Sequence, residues 1–519
     1  MTAKENKPED LTGRSRFTVN VLASWGAYLV FVIAGFVMPR FIDEFEGQAA
    51  LGVWDFAWSL VAYLNIAQIG VGSGVNRYVA KYRANGDYDE LGGVVSTVVV
   101  LQICLATLVL MFVWAAVYYL PSMLPTLEGD ALLSASWVVG LLGASVAANM
   151  ALQASRGVIA GCHRWDINNY INAASHTSSV VCMLGVLVLG YGLIGMAVVY
   201  LVVVLITELF RLYMSRRVCK ELVTRISSVS TARVKKMTSF GIKTFVVQLQ
   251  AVIPLQLVSI LVAAQLGPAA LAVFSRPLAL VRHVEAFMNK FANIFSPTVG
   301  ALIGGGQRDE LKRLFMHTGR YSIALAFPFL AALGVFGDVL LRVWMGDSYV
   351  HGDLVILLAL GFFLPISHSF AMFFLIGMNE HGRVGLISLA ASLSVVFVGI
   401  GLLFTVGWSL LGAGLVVALS YSVGAGIVVP IAACKKLEIS IVEYLRFAMF
   451  MPILLGGVFI LVLELVNHLL PWGPVINMLL AGLLAGISQV VLYWNFLLIP
   501  AHKDDLRLTI RKKLRLSEG

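Results

Sequence analysis

Three side chains that could bind an anion, Arg276, His283 and Lys290, recur every seven residues within one apolar segment. On a helix, each lies about 20° around the axis from the next, so they form one stripe roughly 21 Å long. A guanidinium can donate two parallel hydrogen bonds to a phosphate. The spacing therefore predicts a cationic track for an anionic substrate. In a purely structural alternative, Lys290 reaches a membrane interface and Arg276 pairs with an acid of another helix.

Other polar residues within apolar segments complete the candidate site. Arg282 and Glu285 lie off the stripe and are three residues apart, which is the spacing of a local ion pair on a helix. Asp55 stands between two tryptophans and is either a coupling acid, a partner for a cation, or an interfacial carboxylate, which costs little. Further polar groups of the predicted cavity are Asn20, Lys243 and Gln248.

The composition places these residues in a membrane protein. Of the 519 residues, 59% are hydrophobic and 13% are charged, against about 25% charged residues in a typical globular domain. The apolar runs have the length of a bilayer-spanning helix, whereas a membrane β-barrel would show alternating segments of about ten residues. We therefore predict an all-α, polytopic helix bundle.

Fourteen transmembrane helices are predicted from the apolar runs. They lie near 17–39, 50–76, 92–120, 132–155, 168–189, 193–214, 239–264, 268–302, 314–336, 353–378, 383–405, 409–431, 447–467 and 474–499. With both termini cytoplasmic, 31 of the 37 Lys and Arg residues fall on the cytoplasmic side, as the positive-inside rule requires. The net charge of +9 is thus a signal of topology, and it favours contact with membrane lipids rather than nucleic acid.

An internal repeat divides the chain into two halves. Residues 47–54 resemble 267–274, and residues 86–91 resemble 306–311, both at an offset of 220. Six helices separate the copies, so both keep the same orientation in the membrane, as in parallel-repeat transporters. We predict a cytoplasmic tail (1–16), a first six-helix lobe (17–214), a basic cytoplasmic linker (215–238), a second six-helix lobe (239–431), two further helices (432–499) and a basic cytoplasmic tail (500–519).

Several kinds of chemistry have no sequence signal. The sequence has no P-loop, because Gly304-Gly305-Gly306 is not followed by the lysine that the motif requires. These glycines are interpreted as a helix terminator. His, Cys and Asp residues show no metal-ligand spacing, so neither a metal nor another cofactor is expected. The five cysteines are expected to be free thiols.

Short motifs along the chain resemble those of a known family. The motifs are Pro39-Arg-Phe-Ile42, Leu51-Gly-Val-Trp54, Tyr63-Leu-Asn65, Ile69-Gly70, Arg77-Tyr-Val-Ala80, Phe336-Gly337, Leu341-Arg-Val-Trp-Met-Gly346, Tyr349 and Leu354 to Leu358. Together they resemble the polysaccharide transporters, which include the Wzx-type lipid-linked oligosaccharide flippases of the MOP superfamily. Gln68 departs from the pattern, because many relatives have an acid there. A coupling role assigned to that acid in relatives therefore does not apply to Gln68.

The resemblance implies two lobes around a central, often cationic cavity that opens alternately to either side. It also implies a polyprenyl-pyrophosphate oligosaccharide as substrate, and a bacterial inner-membrane protein that is not an enzyme. We expect a monomer whose partners are membrane lipids and, in the wider pathway, glycan polymerase or export machinery. The alternatives are a multidrug cation antiporter of the same superfamily and a membrane glycan polymerase or ligase.

Overall fold

A computed structural model shows the chain as helices joined by short turns, and no β-strand occurs in the residues that it describes. These residues are 17–72, 74–504 and 507–508, with side chains described except at 17–25, 27, 67–72, 226, 236 and 238–244. The predicted all-α fold class is confirmed. Among the predicted site residues, the side chains of Asn20 and Lys243 lie outside the described ones.

The chain forms two compact units, residues 1–275 and 276–519. The first contains α1 (Phe17–Gly72), α2 (Val75–Ala84), α3 (Tyr88–Met123), α4 (Gly129–Leu152), α5 (Ala154–Gly161), α6 (Trp165–Val188), α7 (Gly192–Val218), α8 (Thr231–Leu266) and the start of α9 (Pro268–Ala292). The second contains the rest of α9, α10 (Phe295–Gly304), α11 (Arg308–Met345), α12 (Gly352–Ser367), α13 (Ser369–Gly377), α14 (His381–Val406), α15 (Leu410–Tyr421), α16 (Val429–Lys436), α17 (Ile441–Tyr444), α18 (Phe450–Leu469) and α19 (Pro474–Leu492).

Eleven helical segments of the described residues are long and apolar enough to cross a membrane. They coincide with eleven of the predicted spans, namely the third to seventh and the ninth to fourteenth. The first two predicted spans lie in α1, which bends at Gly47. Most of the eighth lies in α9, which carries four charged side chains in 25 residues. The multi-pass architecture is confirmed, and the total of fourteen spans stays a prediction.

The repeat is visible in the backbone. Gly47 and Gly267 both have a left-handed φ, of 85° and 89°, and Gly86 and Gly306 do so at 70° and 69°. Such φ values are readily adopted only by glycine, which lacks a Cβ. Helices α2 and α10 both have 10 residues and begin at Val75 and Phe295, again 220 positions apart. The equivalence inferred from two short matches therefore extends to helix boundaries and to the turns between them.

One predicted span is wrong. The segment 268–302 was predicted to be a single span, but α9 ends at Ala292 and α10 begins at Phe295. Pro297 lies in the first turn of α10, where a proline costs little because the missing N–H would have no helical partner. Pro277 does lie inside α9. The corresponding break in the first half separates α1 from α2.

The connection between α7 and α8 packs onto α3. The backbone N–H of Arg225 donates to the Ser96 hydroxyl at 2.9 Å. The Arg233 guanidinium pairs with the Glu90 carboxylate, and this hydrogen bond raises the pKa of Arg233. A Cβ on Gly92 would lie 2.4 Å from the carbonyl oxygen of Val223, so this close approach requires glycine. These contacts fix the start of α8 against the start of α3.

All five cysteines are free thiols, as predicted. Cys162 and Cys219 are buried together in the core around α2, α3 and α5. Hydrogen bonding to Cys162, together with burial, raises the pKa of the Cys219 thiol. The Cys219 thiol therefore keeps its proton at neutral pH, and both cysteines pack as small apolar side chains.

The helices outside the repeat pack on α11. Phe336 of α11 forms an apolar cluster with Phe459 and Leu463 of α18 and with Ala481 and Ala485 of α19. The small alanines allow α19 to approach closely, which is how helices associate in a membrane that offers no hydrophobic driving force between them. The two C-terminal helices, α18 and α19, are therefore an integral part of the second unit.

Replacing Gly52 by alanine should destabilise the first unit. A Cβ at this position would lie 1.7 Å from the carbonyl oxygen of Pro268, a backbone atom that cannot rotate away. We expect a loss of about 1–3 kcal/mol from this overpacking, measured as a lower midpoint of thermal unfolding in detergent. Gly482→Ala is the control, because a Cβ there meets nothing within 4 Å. Equal effects of the two substitutions would contradict the close contact.

Candidate functional site

The predicted stripe lies on one continuous helix, α9. Proline at its first position and Gly267 just before it, with φ at 89°, define the start of the helix. Proline is favoured there because its fixed φ already suits the helix. Arg276, His283 and Lys290 follow at intervals of seven without interruption, and all three belong to the second unit. The helix thus places them on one face, as the spacing predicted.

Arg276 is the most deeply buried cation of α9. Only 3% of its surface is exposed, and its guanidinium lies 5.9 Å from the centre of the Trp344 ring on α11. Contact with an aromatic face attracts a cation through the ring quadrupole, and the attraction is larger where water is excluded. Because a cation at membrane depth costs free energy, this contact offsets part of that cost.

Arg282 and Glu285 form the predicted local ion pair. An Nη1 of Arg282 donates to Oε2 of Glu285 at 2.7 Å, and the Tyr421 hydroxyl also lies beside the guanidinium. The pair is half-buried, with 38% of the arginine side chain and 18% of the glutamate side chain exposed. Arg282 therefore has its counter-charge on the same helix.

His283 and Lys290 are half-buried and flank an aromatic group. The ring of Phe287 lies 4.9 Å from that of Phe291 and 5.5 Å from that of Phe329, both edge to face. Phe287 follows His283 by four positions and precedes Lys290 by three, so it lies on the same side of α9. Along the stripe, polar side chains thus alternate with aromatic surface.

The remaining candidates lie in the first unit. Asp55 is half-buried on α1 next to Trp54, whose ring contacts Trp58, and Trp58 in turn contacts Tyr200. Gln248 is half-buried on α8. No group of three His, Cys, Asp or Glu side chains in the described part of the chain could hold a metal ion. The roles of Asp55 and Gln248 remain predictions.

A second charged cluster, in the first unit, was not predicted. Glu208 and Arg211 of α7 are each 1% exposed, and Nε of Arg211 lies 3.2 Å from Oε2 of Glu208. An Nη2 of Arg156, on the short helix α5, donates to Oε1 of Glu208 at 3.3 Å. One carboxylate therefore serves two guanidinium groups. We call Arg156, Glu208 and Arg211 the α7 triad.

Asparagine side chains add hydrogen bonds to the α7 triad. Arg211 donates through Nη1 to Oδ1 of Asn168 and through Nη2 to Oδ1 of Asn172, each at 2.9 Å. Asn149 donates to Oε1 of Glu208 at 3.1 Å, the oxygen that also accepts from Arg156. A buried charge is tolerated when it is paired with an opposite charge and receives further hydrogen bonds. The triad links α4, α5, α6 and α7 into one polar core.

A signal for the α7 triad was present in the sequence. Glu208 and Arg211 are an i, i+3 pair of opposite charge inside an otherwise apolar run, and an intramembrane ionisable residue is a candidate functional site. Adding the repeat offset of 220 to their numbers gives the apolar residues Val428 and Ile431. The pair therefore breaks the repeat. The α9 cations do so too, since subtracting 220 from Arg276, Arg282 and Lys290 gives Phe56, Ala62 and Gly70.

Comparison with known proteins identifies the family. The profile of the polysaccharide biosynthesis protein family matches residues 49–352, which is more than half of the chain. The chain belongs to this family. No curated protein sequence matches it.

Solved structures of membrane transporters have a fold similar to that of this chain. The lipid II flippase MurJ, in an inward closed conformation, aligns with a TM-score of 0.66 at 13% identity, over 91% of this chain and 99% of MurJ. An inward-facing multidrug resistance transporter of the MATE family gives 0.60 at 16% identity, over 81% and 94%. A MOP superfamily transporter from Pyrococcus furiosus, described as having a binding pocket of reverse polarity, gives 0.60 at 17% identity, over 82% and 96%.

Proposed function

We propose that this member of the polysaccharide biosynthesis family is a flippase that moves a polyprenyl-pyrophosphate-linked oligosaccharide across the bacterial inner membrane by alternating access. The observation that carries the proposal is the charge of α9. Arg276, Arg282 and Lys290 outweigh Glu285 by two positive charges within a helix of 25 residues. A lipid environment would not offset the cost of these charges, whereas a pyrophosphate would.

Within this proposal, Arg276 binds the pyrophosphate. Its planar guanidinium matches two phosphate oxygens, and desolvation strengthens such charge-assisted bonds. His283 and Lys290 extend the positive track along the same helix face, while Arg282 is held by Glu285. Asp55 and Gln248 remain candidates for coupling or for contact with the glycan. Neither a metal nor a bound cofactor takes part in the proposed binding steps.

The lipid part of the substrate has a matching surface in the second unit. A groove of about 410 Å³ runs between α11, α12 and α18. It is lined by Phe327, Leu330, Ala331, Gly334, Val335, Ile356, Ala359, Leu360, Phe363, Ile453 and Ile460. Every one of these side chains is apolar, and the three helices are spanning segments. A polyprenyl chain would fit such a groove without desolvating any polar group.

The fold is shared with multidrug transporters, but the charge of α9 disfavours that function. A cationic drug would be repelled by a helix with an excess of two positive charges. We also propose that both termini are cytoplasmic and that the chain acts as a monomer, alongside glycan polymerase or export machinery. The protein itself would carry out transport and no covalent chemistry.

Reconstitution into vesicles tests the proposed function. A fluorescent oligosaccharide linked to a short polyprenyl pyrophosphate is placed in the membrane, and a membrane-impermeant quencher reports how much reaches the outer leaflet. We expect the protein to accelerate this exchange for the pyrophosphate-linked lipid and not for a neutral glycolipid with the same sugar. Transport of a cationic dye with no effect on the glycolipid would overturn the proposal in favour of a cation antiporter.

A further inference from the structure

A surface cavity of the second unit lies apart from α9 and its cations. It has a volume of about 720 Å³ and is formed by α11, by α17, by the π-helical turn Leu445–Met449 and by the start of α18. Its lining residues are Arg320, Ser440, Val442, Glu443, Arg446, Phe447, Phe450 and Met451. The cavity thus combines two arginines and one acid with four apolar side chains, which is an amphipathic composition.

Arg320 has a fixed position in this cavity. An Nη2 donates to the carbonyl oxygen of Phe496 at 3.3 Å, and the guanidinium lies 5.1 Å from the centre of the Phe447 ring. In the described part of the chain, no carboxylate lies within ion-pair distance of Arg320 or Arg446. The two guanidinium groups outnumber Glu443, the one acid of the lining, so the cavity presents net positive charge to a ligand.

The C-terminal segment holds this arrangement in place. The Tyr321 hydroxyl lies 2.7 Å from Nδ1 of His502, and the Tyr493 hydroxyl donates to the carbonyl oxygen of Ala324 at 2.6 Å. These bonds tie the segment after α19 to α11, next to the Phe496 carbonyl that receives Arg320. The cavity is therefore an integral part of the fold. Its Arg320 side chain is oriented by Phe447 and by the carbonyl oxygen of Phe496.

Apolar side chains project outward beside the arginines. Val442, Leu445 and Phe450 are 74%, 45% and 65% exposed. Arg320 and Arg446 lie at the same end of two spanning helices, near the beginnings of the predicted spans at 314 and 447. Exposed apolar groups next to arginines at the end of a span are typical of the boundary between headgroups and acyl chains.

We propose that this cavity binds an anionic phospholipid, with its phosphate between Arg320 and Arg446 and an acyl chain along Phe447 and Phe450. The guanidinium groups provide forked donors for the phosphate oxygens. The exposed apolar rim favours a lipid over a soluble phosphate, since a soluble ion would gain nothing from it. The site lies outside the proposed transport path and would anchor the C-terminal helices to the membrane surface.

Native mass spectrometry of the full-length protein in detergent tests this site. The probe is dioleoyl phosphatidylglycerol, titrated against dioleoyl phosphatidylcholine and against inorganic phosphate. Each arginine near an anionic surface contributes a similar increment to the binding free energy. Arg320→Gln combined with Arg446→Gln should therefore weaken phosphatidylglycerol binding about 30-fold. Arg446→Gln alone, at an exposed residue with no carboxylate partner, should give about a fivefold loss and keeps the test valid if the double variant fails to fold.

The matched control is Arg308→Gln combined with Arg313→Gln, which removes the same charge from the first turns of α11. We expect it to bind phosphatidylglycerol as the unmodified protein does. Equal affinity of the Arg320/Arg446 double variant and this control would overturn the site. Competition by millimolar inorganic phosphate would overturn the choice of a lipid as its occupant. The glycolipid exchange assay is independent of these readouts, so the two proposals can fail separately.

Discussion

Replacing Arg276 by alanine is expected to reduce transport of the pyrophosphate-linked glycolipid at least about 100-fold, because two hydrogen bonds to a charged group are lost. The protein should still insert into the membrane and accumulate to its normal level. The readout is the quenching assay in reconstituted vesicles, normalised to the amount of folded protein. Arg276→Lys should restore transport only in part, since an ammonium keeps the charge near Trp344 but offers no planar fork.

The control for this prediction removes charges from α9 without changing its net charge. Arg282→Gln combined with Glu285→Gln deletes the ion pair at 2.7 Å and leaves Arg276, His283 and Lys290 in place. We expect a milder loss of transport from this double variant than from Arg276→Ala. Full transport by a triple variant with alanine at Arg276, His283 and Lys290 would show that the stripe is structural.

The sequence predicted those features of the fold that depend on local chemistry. The repeat followed from two short matches, and the structure shows why they persist, since Gly47 and Gly267 both adopt a φ that other residues avoid. The local pair of Arg282 and Glu285 followed from helical spacing alone. The break between α9 and α10 was not predicted, because the apolar run continues across it and 268–302 was drawn as one span.

The α7 triad could not be predicted from spacing alone. Arg156 was placed in a loop and Arg211 at the edge of a span, where an arginine is expected to face water. Their proximity depends on how α4, α5, α6 and α7 pack, which brings together residues 52 to 55 positions apart. Only the pairing of Glu208 with Arg211 was local. Both charged clusters break the repeat, so each half has intramembrane charges that the other half lacks.

Replacing Glu208 by glutamine is expected to destabilise the first unit by about 3–5 kcal/mol, which is the usual cost of removing one partner from a buried ion pair. The carboxylate is 1% exposed and is the only acid in contact with Arg156 and Arg211 among the described residues. A glutamine keeps the shape, but it leaves two guanidinium groups without a counter-charge. Unfolding in detergent by heat or by increasing SDS measures the loss.

The same substitution at an exposed pair provides the control. Glu310 lies 3.2 Å from Arg313, with the same i, i+3 spacing as Glu208 and Arg211, but 58% and 69% of their side chains are exposed. Glu310→Gln should cost at most about 1 kcal/mol, because solvent screens this pair. Glu208→Asp separates charge from packing, since it shortens the side chain by one methylene and keeps the carboxylate. Stability close to that of the unmodified protein is expected for Glu208→Asp. If this variant were as unstable as Glu208→Gln, the shape of the site and not its charge would hold α7 in place.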